Sequence, residues 1–85
     1  MHVMIIGAAG MVGRKLTDRL VADGALGGKE VAQLTLADVI EPSAPAGFKG
    51  KVATVQSDLS QPGAAAKLAA ARPDTVFHLA AIVSG

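Results

Sequence analysis

Three glycines stand at three-residue intervals near the start of the chain, and this spacing suits the binding of a diphosphate. Gly7 follows a short apolar run, and Gly10 and Gly13 lie where a helical periodicity begins. At such a junction the first glycine permits a tight turn, the second lets the backbone approach a pyrophosphate, and the third lets helix and strand pack closely. The alternative is a glycine-rich turn that binds no ligand.

The helix predicted after these glycines would supply the hydrogen-bond donors. The backbone amides of Met11 and Val12 would lie at its N-terminus, where unpaired N–H groups and the positive end of the helix dipole attract phosphate. Arg14 and Lys15 follow in the first turn, where cations oppose the dipole. A bound diphosphate would offset that cost; the alternative is that both are solvated surface residues.

One carboxylate stands where a nucleotide ribose would be expected. Asp38 ends the second predicted strand, 25 residues after Gly13. An acidic residue about 20 residues after such glycines hydrogen-bonds the ribose hydroxyls, and its charge would repel a 2′-phosphate. Asp38 therefore favours NAD over NADP, with an exposed turn aspartate as the alternative.

The elements that must position these residues begin with a buried strand and an amphipathic helix. Residues 3–6 are apolar and β-branched in part, which predicts a strand buried on both faces. Val12, Leu16 and Leu20 recur at intervals of four, with Gly13 and Thr17 beside them. This stripe predicts an amphipathic helix that starts at Met11 and ends at a Gly24 cap. Residues 25–30 are predicted to form a loop.

The rest of the chain predicts three more strands and a second helix. Prolines and glycines make residues 39–50 irregular, and Ser60 is a candidate cap for an Ala-rich helix that runs to about Ala71, before Pro73. His78 is predicted to be a packed strand residue because its neighbours are apolar. The predicted strands are residues 31–37, 51–56 and 75–79.

This alternation of strands and helices predicts an α/β fold, a Rossmann-type doubly wound parallel sheet. High apolarity (51% hydrophobic residues) in only 85 residues suggests a piece of a larger domain, and we expect residues 1–85 to be the N-terminal part of an NAD-binding domain.

Composition narrows the possible partners. A net charge of +1 gives no electrostatic case for nucleic acid or an anionic membrane. The absence of cysteine removes disulfides and cysteine-based metal sites, and no metal site is predicted. The longest apolar run is too short to span a bilayer. We expect a cytoplasmic protein that forms a homo-oligomer.

Three blocks resemble the extended short-chain dehydrogenase/reductase family, the NAD-dependent epimerase/dehydratases. They are the glycine run at residues 7–13, Asp58-Leu59, and the stretch at residues 72–81 that reads RPDTVFHLAA. The GxxGxxG spacing is the form of the glycine motif found in this family, whereas other dehydrogenases tend to have GxGxxG. Within it, the likeness is strongest to a type that oxidises a four-carbon sugar acid.

The resemblance implies roles for further residues. Asp58 would meet the adenine amino group and the Leu59 amide a ring nitrogen, while Leu79, Ala80 and Ala81 would line the cofactor near the ribose and diphosphate. If the resemblance is set aside, Asp58 is a candidate helix cap, and residues 79–81 are the end of a strand with no binding role. The implied cofactor is NAD, and the implied substrate is a sugar or sugar acid.

Catalysis in that family depends on a Tyr–x–x–x–Lys pair, and these 85 residues contain no tyrosine. We therefore expect the catalytic residues to lie beyond Gly85 and the chain alone to be inactive. Three functions remain open: an NAD-dependent oxidoreductase acting on a sugar acid, a nucleotide-sugar epimerase or dehydratase, and a non-catalytic dinucleotide sensor.

Overall fold

A computed structural model of the protein describes residues 1–79. Six strands and two helices follow one another along the chain. In order they are β1 (His2–Ile6), α1 (Met11–Asp23), β2 (Ala25–Leu26), β3 (Lys29–Glu30), β4 (Gln33–Asp38), β5 (Lys51–Gln56), α2 (Ala64–Ala69) and β6 (Thr75–His78).

Four of the strands form a parallel sheet in the order β5-β4-β1-β6. The register places Ile6 of β1 between Ala37 of β4 and His78 of β6. The chain adds β4 and β5 on one side of β1 and then returns to add β6 on the other. This topology confirms the predicted Rossmann-type α/β fold, and its strand order reverses between β1 and β6.

Side chains of β1 and β4 pack on both faces of the sheet, because alternate residues along a strand point in opposite directions. Val3, Ile5 and Leu36 belong to a core cluster that also contains Leu20 of α1. Met4 and Ala37 belong to a second cluster with Leu68 of α2. The two helices therefore pack on opposite faces, as a doubly wound sheet requires.

Helix α1 ends as predicted, and its predicted face lies against the core except at Val12. The Gly24 cap is left-handed, with φ of 67°, and its N–H donates to the Leu20 carbonyl at 2.8 Å. The buried residues of the helix are Gly13, Thr17 and Leu20, whereas Val12 is 64% exposed. The predicted stripe was therefore wrong at Val12, because packing at Gly13 sets the rotation of the helix.

Residues 25–30 form a small antiparallel hairpin, so the prediction of a plain loop was wrong. Gly27 and Gly28 at its tip have φ of 58° and 83°. Two consecutive residues with positive φ match the twist of a two-residue hairpin, which explains the glycine pair. Each strand is only two residues long, too short to produce a hydrophobic periodicity.

Ser60 does not cap α2, contrary to the sequence prediction. The helix begins at Ala64 after a left-handed Gly63 and has no side-chain cap. Ser60 instead donates its N–H and hydroxyl to Asp58 Oδ1, at 2.9 and 2.7 Å, in a turn before the helix. The helix is therefore shorter than predicted and ends at Ala69.

His78 is exposed, so its prediction as a packed residue was wrong. Residues Val76 and His78 share one face of β6, and Val76 is 48% exposed. A right-handed crossover from β6 to a further parallel strand would lie on this face. Apolar neighbours in sequence therefore did not place His78 in the core.

No helix within the described residues is long and apolar enough to cross a membrane.

We predict that the 85-residue polypeptide alone self-associates through β6. Among the described strands β6 pairs only with β1, and an open strand edge with exposed apolar side chains is a template for pairing. Sedimentation velocity should show concentration-dependent association that Val76→Lys reduces. Gln61→Lys adds the same charge to an exposed residue away from β6 and should leave the association unchanged; a compact, cooperatively unfolding monomer at high concentration would contradict the prediction.

Candidate functional site

The carboxyl ends of the four parallel strands bring the predicted site residues to one edge of the sheet. Backbone hydrogen bonds run along this edge and join the segments that leave neighbouring strands. They are Ser57 N–H to Asp38 O at 2.7 Å, Gly7 N–H to Ala37 O at 2.8 Å, and Leu79 N–H to Ile6 O at 2.7 Å. The predicted residues Ala80 and Ala81 lie outside the described residues.

Gly7 makes the turn that leads from β1 into the glycine-rich loop, residues 7–13. Its φ of 93° is a conformation that side-chain-bearing residues rarely adopt. The turn directs the amides of Gly7 and Ala8 toward the same acceptor, the Ala37 carbonyl, at 2.8 and 3.2 Å. The loop is thereby attached to the end of β4.

Gly13 is the point where α1 meets the loop. A methyl group at Gly13 would overlap the carbonyl oxygen of Gly7 and lie 2.7 Å from the Ala8 Cα. Both obstacles are backbone atoms, which no side-chain rotation can move aside. The close packing of helix and strand therefore depends on the missing side chain.

Gly10 has no such obstacle. A methyl group there would lie 3.5 Å from the Gly7 carbonyl oxygen, an ordinary contact, and the backbone angles (φ −74°, ψ 169°) suit any residue. Packing within the described residues therefore does not require glycine at this position. A ligand that approaches the backbone closely would require it.

Unpaired amides follow Gly10 directly. The N–H groups of residues 7–10 are all bonded to protein acceptors, whereas those of Met11, Val12 and Gly13 have no acceptor within residues 1–79. The Met11 and Val12 side chains are 73% and 64% exposed. Three adjacent donors at the start of a 13-residue helix are an arrangement that can attract an anion.

Asp38 lies beside the loop at the end of β4. Its Oδ2 accepts the Ala9 N–H at 2.9 Å and its Oδ1 accepts the Val39 N–H at 2.7 Å. The residue is half-buried. Each carboxylate oxygen has capacity for one more hydrogen bond, so the group could also accept hydroxyls from a ligand.

Asp58 and Leu59 follow β5 at the same edge; Asp58 faces solvent, and the Leu59 side chain packs against the core. Asp58 is exposed, and the hydroxyl and N–H of Ser60 hold the pKa of its carboxyl below the ordinary value. These bonds use one carboxylate oxygen and leave Oδ2 available. The Leu59 side chain packs against the α2 core cluster, and its N–H has no acceptor among the described residues.

Arg14 and Lys15 are both exposed, and Arg14 borders a concave region that the sequence prediction missed. A cavity of about 450 Å³ lies between α1 and residues 40–45, with Asp18, Glu41 and Ser43 in its wall. Pro42 and Pro45 were signals for an irregular segment, but proline content does not reveal which surface such a segment covers.

No group of three histidine, aspartate or glutamate side chains in residues 1–79 is arranged to hold a metal ion.

Comparison with known proteins identifies the relatives of this chain. The model of the family described as "NAD dependent epimerase/dehydratase family" matches residues 3–85. The chain is 41% identical to D-erythronate dehydrogenase from Cupriavidus necator, covering 100% of this chain and 27% of that protein. It is 34% identical to D-erythronate dehydrogenase from Haemophilus influenzae, covering 99% of this chain and 25% of that protein.

Solved structures of two differently named enzymes share the fold of this chain. A structure of the nucleoside-diphosphate-sugar epimerase from Agrobacterium tumefaciens is 68% identical, with a TM-score of 0.94 over 100% of this chain and 25% of that one. A mutant uronate dehydrogenase from the same organism, complexed with NAD, is 32% identical, with a TM-score of 0.64 over 92% of this chain and 25% of that one. The chain spans about a quarter of the length of these relatives.

We predict that alanine substitutions at Gly13 and Gly10 differ in their effect on stability. Gly13→Ala should lower the free energy of unfolding by about 1–3 kcal/mol or more, because the methyl group meets fixed backbone. Gly10→Ala should change it by no more than about 1 kcal/mol, since the backbone conformation is allowed. Urea unfolding of both variants measures the difference, and equal losses would contradict the assignment of separate roles.

Proposed function

The chain belongs to the NAD dependent epimerase/dehydratase family, and from this premise we propose that it is the nucleotide-binding part of an NAD-dependent oxidoreductase. The carboxyl edge of its sheet would hold the adenosine diphosphate portion of NAD. NAD is the cofactor of the family, and it is present in one of the related structures. When bound, it supplies a nicotinamide that accepts a hydride from substrate.

The observation that carries this proposal is the row of amides at Met11, Val12 and Gly13, next to Gly10, which have no acceptor within residues 1–79. The row stands at the end of β1, next to the position where the strand order reverses, which is where open α/β sheets bind ligands. Gly10 leaves room for a diphosphate to reach these donors. The positive φ of the turn accounts for Gly7 and close packing accounts for Gly13, whereas a bound diphosphate would account for Gly10.

The remaining site residues would bind the adenosine. Asp38 would accept the ribose hydroxyls, and Asp58 Oδ2 would accept the adenine amino group. The Leu59 amide, free of protein acceptors within the described residues, would donate to a ring nitrogen. Leu79, hydrogen-bonded to Ile6 at the switch point, would lie near the ribose and diphosphate together with Ala80 and Ala81.

We propose a sugar acid as the substrate, because both D-erythronate dehydrogenases match nearly the whole chain. In such a reaction a C–H hydride passes to NAD and the hydroxyl proton passes to a base, leaving a carbonyl group and NADH. These 85 residues contain no tyrosine, so we assign the acid/base pair to residues outside them. Nucleotide-sugar epimerisation is the second candidate, favoured by the 68% identity to a protein of that name.

The two candidate reactions are separated by the fate of the cofactor. We predict that the full-length protein, given NAD and D-erythronate, accumulates NADH in proportion to substrate consumed. An epimerase would convert a nucleoside-diphosphate sugar and leave the NAD pool unchanged. Absorbance of reduced cofactor and product chromatography, run on both substrates, measure the outcome; conversion of the nucleotide sugar alone would select the second candidate.

Gly10→Val is the matched binding control for that assay. Its branched side chain would occupy the approach to the amides, so NAD binding should be lost while the fold survives. Gly10→Ala removes less space and should weaken binding less. Normal NAD binding by Gly10→Val would remove the diphosphate from this loop.

We also predict that the protein prefers NAD to NADP at least tenfold. Two like charges about 4 Å apart near a surface repel by roughly 4 kcal/mol, and tenfold selectivity requires only about 1.4 kcal/mol. Arg14 is the nearby cation that opposes this preference. Titration of both cofactors into wild type and Asp38→Ala should show the NADP/NAD affinity ratio rise in the variant; an unchanged ratio would remove Asp38 from the ribose site.

A further inference from the structure

We propose that Asp38 is a positioning residue that holds the glycine-rich loop in its diphosphate-binding conformation. This role rests on the proposed function and is separate from any contact between Asp38 and the ribose. The positioning role follows from the hydrogen bonds that the carboxylate makes in the absence of a ligand. The juxtaposition at its centre is Asp38 Oδ2 against the amide of Ala9, 29 residues away in sequence.

Asp38 joins three segments of the carboxyl edge. Its Oδ2 accepts the Ala9 N–H of the loop at 2.9 Å, and its backbone oxygen accepts the Ser57 N–H after β5 at 2.7 Å. Its Oδ1 accepts the Val39 N–H at 2.7 Å, which orients the carboxylate against its own backbone. The carboxylate is thus fixed at both oxygens before any nucleotide contacts it.

The contact to Ala9 differs from every other bond that orders the loop amides. Within residues 1–79, the amides of Gly7, Ala8 and Gly10 bond to backbone carbonyls, and Ala9 alone bonds to a side chain. Ala9 lies midway between the turn at Gly7 and the free amides that begin at Met11. Its hydrogen bond therefore restrains the stretch whose movement would displace the diphosphate donors.

Electrostatics and positioning predict opposite effects when Asp38 is changed. A carboxylate near an anion site repels the anion, so removing the charge should strengthen the binding of pyrophosphate. Removing the acceptor should weaken it, because the loop must then be ordered by the ligand. Variants that share a charge and differ in the acceptor isolate the second effect.

The test measures binding of inorganic pyrophosphate to Asp38→Asn and Asp38→Ala by calorimetry. Both variants lack the charge and the acceptor for the Val39 N–H, but the single oxygen of asparagine can still accept the Ala9 N–H. We expect Asp38→Ala to bind about three- to tenfold more weakly than Asp38→Asn, the range that one hydrogen bond contributes. Equal affinities, or tighter binding by Asp38→Ala, would overturn the inference.

Two further variants guard the comparison. Asp38→Glu keeps the charge but displaces the oxygens by one methylene group, and it should bind pyrophosphate several-fold more weakly than wild type; wild-type affinity would also overturn the inference. Asp18→Ala removes a carboxylate from the wall of the adjacent cavity without touching the loop amides. It should bind pyrophosphate at least as tightly as wild type, because one negative charge near the anion is removed. A loss like that of Asp38→Ala would overturn the inference, because a substitution that leaves the Ala9 contact intact would then have the same effect.

Hydrogen exchange of the Ala9 amide in the unliganded protein separates this inference from the proposed function. Exchange should be faster in Asp38→Ala than in Asp38→Asn, and equal rates overturn the positioning role even if NAD binds. A wild-type protein that binds pyrophosphate but not NAD overturns the proposed function and leaves the positioning role intact. A wild type that binds neither overturns both.

Discussion

The close approach of α1 to the glycine-rich loop is the constraint on which the site depends. At Gly13 the helix lies so near the backbone of Gly7 and Ala8 that a side chain would overlap them. This contact fixes where the helix begins relative to β1, and so fixes the direction of the amides at Met11, Val12 and Gly13. The sheet contributes a rigid reference, because β1 pairs with neighbours on both sides and is buried on both faces.

Sequence patterns predicted the parts of the fold that local interactions determine. The strand at residues 51–56 and the Gly24 cap lie where the pattern placed them, because strand alternation and left-handed caps are properties of a few consecutive residues. Three other predictions were wrong because contacts that hydrophobic periodicity does not report decided the outcome. Gly13 sets which face of α1 is buried, the Asp58 turn engages Ser60, and the face of β6 that carries His78 has no cover among the described residues.

Within the candidate site, too, the features encoded by a few consecutive residues could be predicted, and a contact between distant segments could not. The glycine spacing was sufficient to predict the donors at the start of α1, since that geometry is encoded within seven residues. The bond between Ala9 and Asp38 joins positions 29 apart and depends on the register of β1 against β4. No local pattern reports that register. The sequence therefore predicted Asp38 as a ligand contact but could not indicate its contact with the loop.

The charges around the loop explain why Asp38 can stay beside the proposed diphosphate site. No acidic residue occupies the first turn of α1, and Arg14 and Lys15 add positive charge where the helix dipole is already positive. Without a ligand, Asp38 is the carboxylate that hydrogen-bonds this region, through the amide of Ala9. It offsets part of the local positive charge, and the amides of Met11, Val12 and Gly13 have no acceptor within residues 1–79. A diphosphate would then meet donors that are already ordered, and its negative charge would neutralise the remaining positive charge at the start of the helix.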